Sequence, residues 1–365
     1  MKSEKLPEGF TLHCPVPLGD HSTVQLAHGG GGRVMQGLIE GLFLPAFGGP
    51  SPRPSPGGKG GLAAIPHDSA VFEAGGARLA LTTDSFVVSP LFFPGGDIGK
   101  LAVYGTANDL AMAGATPAWL SAGFILEEGL SMDVLRRVVE SMAGAAAEIG
   151  ARIVTGDTKV VDRGKGDGIF INTAGVGLVP AGVEISPARV RPGDAVLVSG
   201  DLGRHGIAIM SVRERLDFEG ALESDCASLA GLVEELIRSG HEVHCLRDLT
   251  RGGLASALNE IARHAGVGIE LDEAAIPVSE PVAGACELLG LDPFYVANEG
   301  RLAAIVPTEV AGRVLDVMQR HSAAPQPAVI GRVTRRHPGI VEAESVLGVS
   351  RILDMLSGEQ MPRIC

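Results

Sequence analysis

One stretch of this chain, Asp84–Pro117, constrains the fold more than any other. The strand-forming segment LALTT leads into Asp84, a glycine turn ending in Asp97 follows, and the next segment has the small apolar face of a helix that packs closely on a sheet. Asp97 suits the N-cap of that helix, which carries a further acid, Asp109. A single such acid is most often an exposed loop residue, but the combination is typical of a magnesium–phosphate site.

Composition narrows the class of protein. The chain has 365 residues, enough for two domains, and 45% apolar content with 51 glycines indicates a close-packed α/β enzyme with many tight turns. A net charge of -13 argues against nucleic acid or an anionic membrane as the main partner. The segment MKSEKLPEGF lacks the apolar run of a signal peptide, and no segment approaches the ~20 apolar residues of a membrane span, so we expect a cytoplasmic protein.

The five cysteines are an odd number, are widely spaced and include no CxxC pair. This pattern indicates neither a disulfide framework nor a zinc site. Four of them are predicted to be small buried hydrophobic residues. Cys365 differs because it is the last residue of the sequence.

Composition shifts along the chain predict its organisation. We expect an N-terminal arm at 1–28, a first α/β domain at 29–186, a second at 187–344 and a flexible C-terminal tail at 345–365, with the boundary in PARVRPG. The segment at 48–61, GGPSPRPSPGGKGG, has almost nothing to bury and is predicted to be a mobile surface loop.

Local patterns predict the elements of the first half. VMQGLIEGLFLPAF suits a helix, and AVFEA and ARLALTT suit a β-hairpin around Gly75-Gly76. WLSAGFIL and IFINTAGVGLV are predicted strands, and ARIVT is a strand expected to stop at Gly156-Asp157-Thr158-Lys159. Ser131 and Gly150 bound a helix. Its predicted inward face is Leu135, Val138, Val139, Met142, Ala146 and Ile149.

In the second half, AVLVS, VHCL, FYVA and RLAAIVP are predicted strands. A polar helical stretch is expected near 211–239, and VSRILDML is expected to be helical. LASALNEIARHAG is an amphipathic helix with Leu254, Leu258 and Ile261 inward. Asp248, where VHCL meets this helix, is a fourth candidate metal ligand.

Three features have open interpretations. The run His28–Arg33 can approach a phosphate through backbone N–H groups, with Arg33 adding charge, or can be a flexible linker. Lys159 can be an active-site group, because ligands often lie at strand ends, or an exposed turn lysine. Glu299, in the sequence Asn-Glu-Gly, can equally lie in a plain hairpin turn.

Taken together, five motifs carry a family resemblance: FFPGGDIGKLAVYGTANDLAMAGATP, TGDTKVV, RDLTRGG, NEG and the terminal PRIC. They resemble the HypE family of hydrogenase maturation factors, within the superfamily of aminoimidazole ribonucleotide synthetase and selenophosphate synthetase. The likeness runs from residue 28 to 365. The glycine loop departs from it, reading HGGGGR where HGSGGR is expected, and 48–61 resembles an insertion.

This resemblance implies a PurM-like α/β (α+β) fold, in which an N-terminal mixed sheet pairs across a homodimer and ATP binds near the dimer interface. It also implies that the terminal cysteine receives a carbamoyl group from the carbamoyltransferase HypF. ATP would phosphorylate the carbamoyl oxygen, and elimination would leave a protein thiocyanate. That group would supply cyanide, through HypC and HypD, to the iron centre of nickel-iron hydrogenase.

The resemblance also implies roles for individual residues. The implied magnesium ligands are Asp68, Asp84, Asp109 and Asp248. The implied ATP-binding residues are Gly30, Gly31, Arg33, Asp84, Asp97, Asn108 and Asp157. The implied catalytic residues are Cys365, Lys159 and Glu299. Nine residues of tail span at most ~30 Å when extended, so a terminal cysteine can both enter and leave an ATP cleft.

Two alternatives stay open. Another enzyme of the superfamily is one, although selenophosphate synthetase would need a catalytic cysteine followed by lysine, and Cys14 precedes Pro15. Aminoimidazole ribonucleotide synthetase has no use for a terminal cysteine. The other alternative is a scaffold whose tail is only a docking peptide. The four candidate metal-binding acids argue against it, and measurable ATP turnover would exclude it.

Overall fold

The computed structural model describes residues 23–47, 67–216, 222–358, 361 and 363–365. Two sheets organise these ranges, five-stranded in the first half of the chain and seven-stranded in the second. The predicted mixed α/β class is confirmed, because both sheets contain parallel and antiparallel pairs and both pack against helices. The predicted loop at 48–61, most of the N-terminal arm and Cys14 lie outside the described residues.

In the first half, the strands are β1 Ala70–Ala74, β2 Ala77–Phe86, β3 Phe92–Phe93, β4 Gly96–Asp97, β5 Thr116–Glu127, β6 Arg152–Val161 and β7 Ile169–Leu178. The helices are α1 Arg33–Leu38, α2 Leu44–Phe47, α3 Ile98–Met112 and α4 Met132–Glu148, with a π-helical turn at Ile39–Phe43. The predicted hairpin is confirmed as β1 and β2, and the predicted helix after Ser131 is confirmed as α4.

The first sheet has the order β1-β2-β7-β5-β6, and α3 packs on one of its faces, with α4 against both α3 and β6. Side chains alternate between the faces, so Ala80, Leu120 and Ile171 are buried while Leu81 and Trp119 on the opposite face are exposed. β6 is exposed along its whole length. Among the residues that the structure describes, this sheet therefore has one covered face and one exposed apolar face, with β1 and β6 as its edge strands.

In the second half, the strands are β8 Asp194–Val198, β9 Cys245–Asp248, β10 Gly268–Asp272, β11 Leu302–Pro307, β12 Ala328–Thr334, β13 Val341–Glu344 and β14 Ser350–Leu353. The helices are α5 Arg204–Glu214, α6 Ala230–Arg238, α7 Gly253–Ala265, α8 Glu280–Leu289 and α9 Thr308–Arg320. The strand order is β14-β13-β10-β12-β8-β11-β9. Each face of this sheet has its own core, one containing α7 and the other containing α6 and α9. Leu254, Leu258 and Ile261 of α7 are buried, as predicted.

Three element predictions were wrong. In two of them pairing between distant segments overrode the local pattern, and in the third a local cap did. The strand ARIVT does not stop at Gly156-Asp157-Thr158-Lys159; β6 continues to Val161 because it pairs with β5 along its length. VSRILDML is not helical, since β14 pairs with β13. FYVA is not a strand, because Asp292 caps a short 3-10 helix at Pro293–Tyr295.

Two further predictions need correction. The helical stretch expected near 211–239 is two helices, because α5 ends at Glu214 and α6 begins only at Ala230. The residues before α6 bind the first half instead, where the Asn108 side chain contacts Ala227 and Leu229. Val139 of α4, predicted to be inward, is exposed, because only the narrower stripe with Val138 faces α3.

Helix α3 is buried on nearly all sides, and its start is held by Asp97. Asp97 Oδ1 accepts hydrogen bonds from the backbone N–H of Gly99 at 2.8 Å and Lys100 at 3.1 Å, and Oδ2 accepts one from the Ser141 hydroxyl at 2.6 Å. The predicted N-cap is therefore confirmed. A Cβ at Gly99 would lie 2.5 Å from the Val138 carbonyl oxygen, so the absence of a side chain lets α3 and α4 touch.

The cap predicts a stability effect. Asp97→Ala should lower the free energy of unfolding by about 1–2 kcal/mol, because two helix N–H groups and the Ser141 hydroxyl lose a buried acceptor. Ser131→Ala, which removes the exposed single-bond cap of α4, is the matched control and should cost less. Denaturant unfolding of the two variants measures this difference, and an equal or smaller loss for Asp97→Ala would contradict the argument.

Candidate active site

Three carboxylates converge where the two halves of the chain meet. Asp68 precedes β1, Asp109 lies on α3 and Asp248 ends β9. One ligand oxygen from each lies within 4.8 Å of the others. We call these three residues the acid cluster. Each half supplies part of it, so the cluster exists only when both halves are folded and in contact.

The electrostatics of the acid cluster are those of crowded, buried negative charges. Burial raises the pKa of Asp68 to about 6, although Arg247 acts in the opposite direction. Burial, followed by repulsion from Asp248 and Asp68, raises the pKa of Asp109 well above its usual range. Burial and the charge of Asp68 do the same to the pKa of Asp248. A bound cation would relieve this repulsion.

Few of the described residues neutralise the acid cluster. The Thr82 hydroxyl donates to Asp109 Oδ2 at 2.8 Å, and Arg247 Nε lies 2.9 Å from Asp68 Oδ1. Oδ2 of Asp68 and Oδ2 of Asp248 are buried without a hydrogen-bond partner among the described residues. Buried carboxylate oxygens that converge and lack a donor are the ligands that Mg²⁺ prefers. The acid cluster thus fits the predicted magnesium ion.

Asp84, the fourth predicted ligand, lies beside the acid cluster rather than in it. Its Oδ1 is 3.6 Å from Arg251 Nη2 and accepts the Ser85 N–H at 2.7 Å. Its charge nevertheless contributes to the raised pKa of Asp109, after the charges of Asp248 and Asp68. Its metal role therefore stays a prediction.

The terminal thiol lies in the same cleft, against Glu299. Cys365 is 8% exposed and Glu299 3% exposed, and the two side chains lie close enough for the Glu299 carboxyl group to raise the pKa of the thiol. Burial is the main reason that the pKa of the thiol is raised, and burial followed by the charges of Asp248 and Asp84 raises the pKa of Glu299 well above its usual range. Oε1 of Glu299 has no hydrogen-bond partner among the described residues. The predicted proton-transfer group and the predicted acceptor thiol are thus adjacent.

Glu299 is held by its own backbone. The N–H groups of Glu299 and Gly300 donate to the carboxylate of Asp225, at 3.3 and 3.1 Å. Arg301 lies beside Asp225 and binds Asp201 at 2.9 Å, so the loop is anchored by a buried ionic network. The turn that the sequence left open therefore orients a buried carboxyl group.

Arg251 is a site residue that sequence reasoning missed. Its Nη1 donates to the Gly29 carbonyl at 2.9 Å, and its guanidinium lies beside Asp84. The charge of Cys365 is the main reason that the pKa of Arg251 is raised. Burial acts in the opposite direction, and the charges of Asp84 and Glu299 add to the increase. The signal was available, because RDLTRGG places a second arginine three residues after Asp248.

The glycine loop is packed against Arg251. Gly31 has φ +73°, and a Cβ there would lie 2.7 Å from Arg251 Cβ, so both the backbone conformation and the space favour glycine. Gly30 is buried next to it. Arg33 forms an ion pair with Asp354, the residue after β14. The loop is therefore not a free linker, while its contact with phosphates stays a prediction.

Two predicted nucleotide-binding residues have structural partners. Asn108 is buried, donates to the Ala227 carbonyl at 3.1 Å and accepts the Leu229 N–H at 2.7 Å. Asp97 caps α3. These contacts join elements of the fold, and the roles of both residues in ATP binding stay predictions.

Lys159 and Asp157 are not brought to the acid cluster within one chain. Both lie on the edge strand β6, are 71% exposed and form an ion pair at 2.8 Å. Strands β7 and β5 separate β6 from β2, which carries Asp84, so the two strands are about 14 Å apart. Any role for Lys159 beside Glu299 needs a further source of proximity.

Comparisons with known proteins identify the family. The N-terminal domain model of AIR synthase related proteins matches residues 66–179, and the C-terminal domain model matches 191–344. Carbamoyl dehydratase HypE of Azotobacter vinelandii is 53% identical over 94% of this chain and 98% of the relative. The chain belongs to the HypE family. HypE of Escherichia coli K12 is 48% identical over 94% of this chain and 100% of the relative.

Solved HypE structures share the fold. A crystal structure of HypE in complex with ATP has a TM-score of 0.77 at 47% identity, covering 94% of this chain and 100% of that one. A HypE–HypF complex has a TM-score of 0.79 at 45% identity, covering 87% of this chain and 99% of that one. Within the ranges that the structure describes, none of the helices is long and apolar enough to cross a membrane.

The acid cluster predicts a metal response that does not depend on activity. Added Mg²⁺ should raise the thermal unfolding midpoint of the wild-type chain, since binding to the folded state alone stabilises it. Asp248→Asn should weaken this response by at least about tenfold in Mg²⁺ concentration. Without metal the variant should be as stable as wild type or more so, because one of three repelling carboxylates is gone.

Asp316→Asn, on the exposed face of α9, is the matched control and should respond to Mg²⁺ as wild type does. Calorimetric scans over a Mg²⁺ series measure both quantities. An Asp248→Asn variant with the wild-type Mg²⁺ response would exclude this residue as a ligand.

Proposed function

We propose that this chain catalyses the ATP-dependent dehydration of a carbamoyl group carried on its own terminal cysteine, giving a protein thiocyanate for hydrogenase maturation. The observation that carries the proposal is the Cys365 thiol buried against the Glu299 carboxyl group in the cleft that holds the acid cluster. Membership of the HypE family supports it, because relatives are named carbamoyl dehydratase and one HypE has been crystallised with ATP.

The reaction has a definite atom balance. The carbamoyl oxygen attacks the γ-phosphorus of ATP and ADP leaves, which converts a poor leaving oxygen into a phosphate ester. The nitrogen then loses its two protons as the carbon–oxygen bond breaks, leaving a nitrile on sulfur and inorganic phosphate. The net change on the protein is the loss of one water, whose oxygen departs in phosphate.

The residues of the cleft fit these needs. Glu299 is next to the thiol, and burial, followed by the charges of Asp248 and Asp84, raises its pKa, which makes its carboxylate a stronger proton acceptor than an exposed one. Arg251 supplies a fixed positive charge between Cys365 and Asp84, where negative phosphate oxygens would accumulate. A magnesium ion on the acid cluster would neutralise the triphosphate. ATP, Mg²⁺ and the tail would thus meet in one place.

A homodimer would explain the position of Lys159. The outer face of the first sheet exposes Leu81, Trp119 and Ile125, and β6 has an unpaired edge, which together form an apolar surface suited to a second copy of the same sheet. We infer that the partner subunit supplies Lys159 to the cleft that contains Glu299. This restores the pair of proton-handling groups that one chain keeps apart.

The same proposal includes partners and location. HypF would load the carbamoyl group, supported by the HypE–HypF crystal structure, and HypC and HypD would receive the cyanide. We infer a cytoplasmic protein, because the reaction consumes ATP and needs a free thiol. The four cysteines in the described ranges, Cys226, Cys245, Cys286 and Cys365, are all unpaired, as expected in a reducing compartment.

Glu299→Gln tests the chemistry. After incubation with HypF, carbamoyl phosphate and ATP, the variant should accumulate the carbamoyl form on Cys365, because the amide protons lose their acceptor, with dehydration slowed by about 10²–10⁴-fold. Glu280→Gln, at the exposed start of α8, is the matched control. Mass analysis of the C-terminal peptide measures both steps. Water loss without ATP, or on another residue, would refute the function.

Mixed dimers test the contribution of the partner subunit. Lys159→Ala and Glu299→Gln homodimers should each be nearly inactive. A dimer with one subunit of each kind would contain one cleft with both groups intact and should recover roughly half the wild-type dehydration rate, as two-fold symmetry requires. If both groups acted within one chain, the mixed dimer would stay inactive. Tandem purification on two different tags isolates the mixed species for this assay.

A further inference from the structure

The last residues of the tail pair with the backbone that follows β2. The Val87 N–H donates to the Cys365 carbonyl at 3.0 Å, and the Ser89 N–H donates to the Arg363 carbonyl at 3.3 Å. The tail therefore runs antiparallel to residues 87–89. These two bonds fix the register of the tail, and with it the depth of the thiol in the cleft.

A buried histidine binds the peptide group between them. His205, on α5, is 0% exposed, and its Nε2 lies 2.7 Å from the Ile364 carbonyl oxygen. A carbonyl can only accept, so Nε2 carries the proton and Nδ1 accepts from the Ser224 hydroxyl at 2.8 Å. The Phe93 ring packs edge-on against the imidazole, with the ring centroids 5.4 Å apart. His205 is thus a fixed donor with one tautomer, aimed at the tail.

Two charged groups bind the tail nearer the surface. Arg213 donates through Nη2 to the Arg363 carbonyl and through Nε to the Ser89 carbonyl at 2.6 Å, so it joins the tail to its pairing strand. The Arg363 side chain forms an ion pair with Asp167, and both side chains are partly exposed. Asp167 lies in the loop between β6 and β7. The contacts of His205, Arg213 and Asp167 with the tail are called the tail latch below.

We propose that His205 is the positioning residue of the tail latch, and that the strength of the latch sets how Cys365 is divided between a docked state and a released state. Dehydration needs the docked state, because Glu299 and the acid cluster are in the cleft. Loading by a second protein needs the released state, because the docked thiol is buried. The effect of the latch on loading and dehydration rests on the proposed function, while the latch itself rests on the contacts above.

The latch therefore predicts opposite effects on the two steps. Removing the donor at His205 leaves the Ile364 carbonyl unpaired only when the tail is docked, since water binds it after release. Loosening should speed the loading of Cys365 and slow its dehydration. A general folding defect would slow both steps, so the opposite signs separate positioning from structural damage.

Alkylation of Cys365 by N-ethylmaleimide tests the latch without any catalytic step. In the full-length chain, His205→Leu should raise the rate of alkylation of the C-terminal peptide by roughly threefold to tenfold, the effect of one lost hydrogen bond. His205→Gln keeps a side-chain N–H and should return towards the wild-type rate. Asp167→Asn should also accelerate alkylation, and Asp162→Asn, in the same loop, is the matched control.

Each outcome decides the proposal. Unchanged alkylation in both His205→Leu and Asp167→Asn would overturn the latch. If His205→Leu does not fold, unchanged alkylation in Asp167→Asn alone overturns it. Carbamoylation by HypF should be faster and single-turnover dehydration slower in the variants that alkylate faster, and slowing of both would overturn the positioning role. If the variants alkylate faster but the carbamoylated wild-type protein never loses water, the latch is upheld and the proposed function is refuted.

Discussion

The structure depends on the crowding of three buried or half-buried carboxylates that come from both halves of the chain. Asp68 and Asp109 belong to the first half and Asp248 to the second, and their oxygens approach within 4.8 Å. Like charges at this distance and burial repel strongly, so the arrangement requires compensation. Arg247 beside Asp68 supplies part of it, and a divalent cation would supply the rest. The cleft therefore contains an excess of negative charge, which a bound divalent cation would neutralise.

Helix α3 connects this charge to the fold. Its start is fixed by Asp97, its face is close-packed through Gly99 and Gly105, and its later turns carry Asn108 and Asp109. Asn108 binds the second half while the next residue joins the acid cluster. One rigid element thus sets both the contact between halves and the position of a ligand. The tail also reaches the cleft, where His205 binds the Ile364 carbonyl and Glu299 lies beside the Cys365 thiol.

Local chemistry made much of the fold predictable. A side chain that accepts from the first turn, as in Asp97 and Ser131, marks a helix start wherever it lies. The elements that sequence reasoning missed depend on distant partners. β14 is a strand because it pairs with β13. β6 continues through Lys159 because it pairs with β5 as far as Val161. Arg251 was missed for a related reason, since its partners Gly29 and Asp84 are far from it in sequence.

The sequence by itself determined the chemical types at the site: the acids, the glycine loop and the terminal thiol, together with the hairpins and caps that short-range interactions specify. Only the tertiary structure decided which acids form the acid cluster and that Cys365 lies beside Glu299. It also decided that Lys159 lies on the edge strand β6, three strands away from the strand that carries Asp84. The reason is physical. Proximity across hundreds of residues and the burial that raises a carboxyl pKa are properties of packed chains, and no short window of sequence contains them.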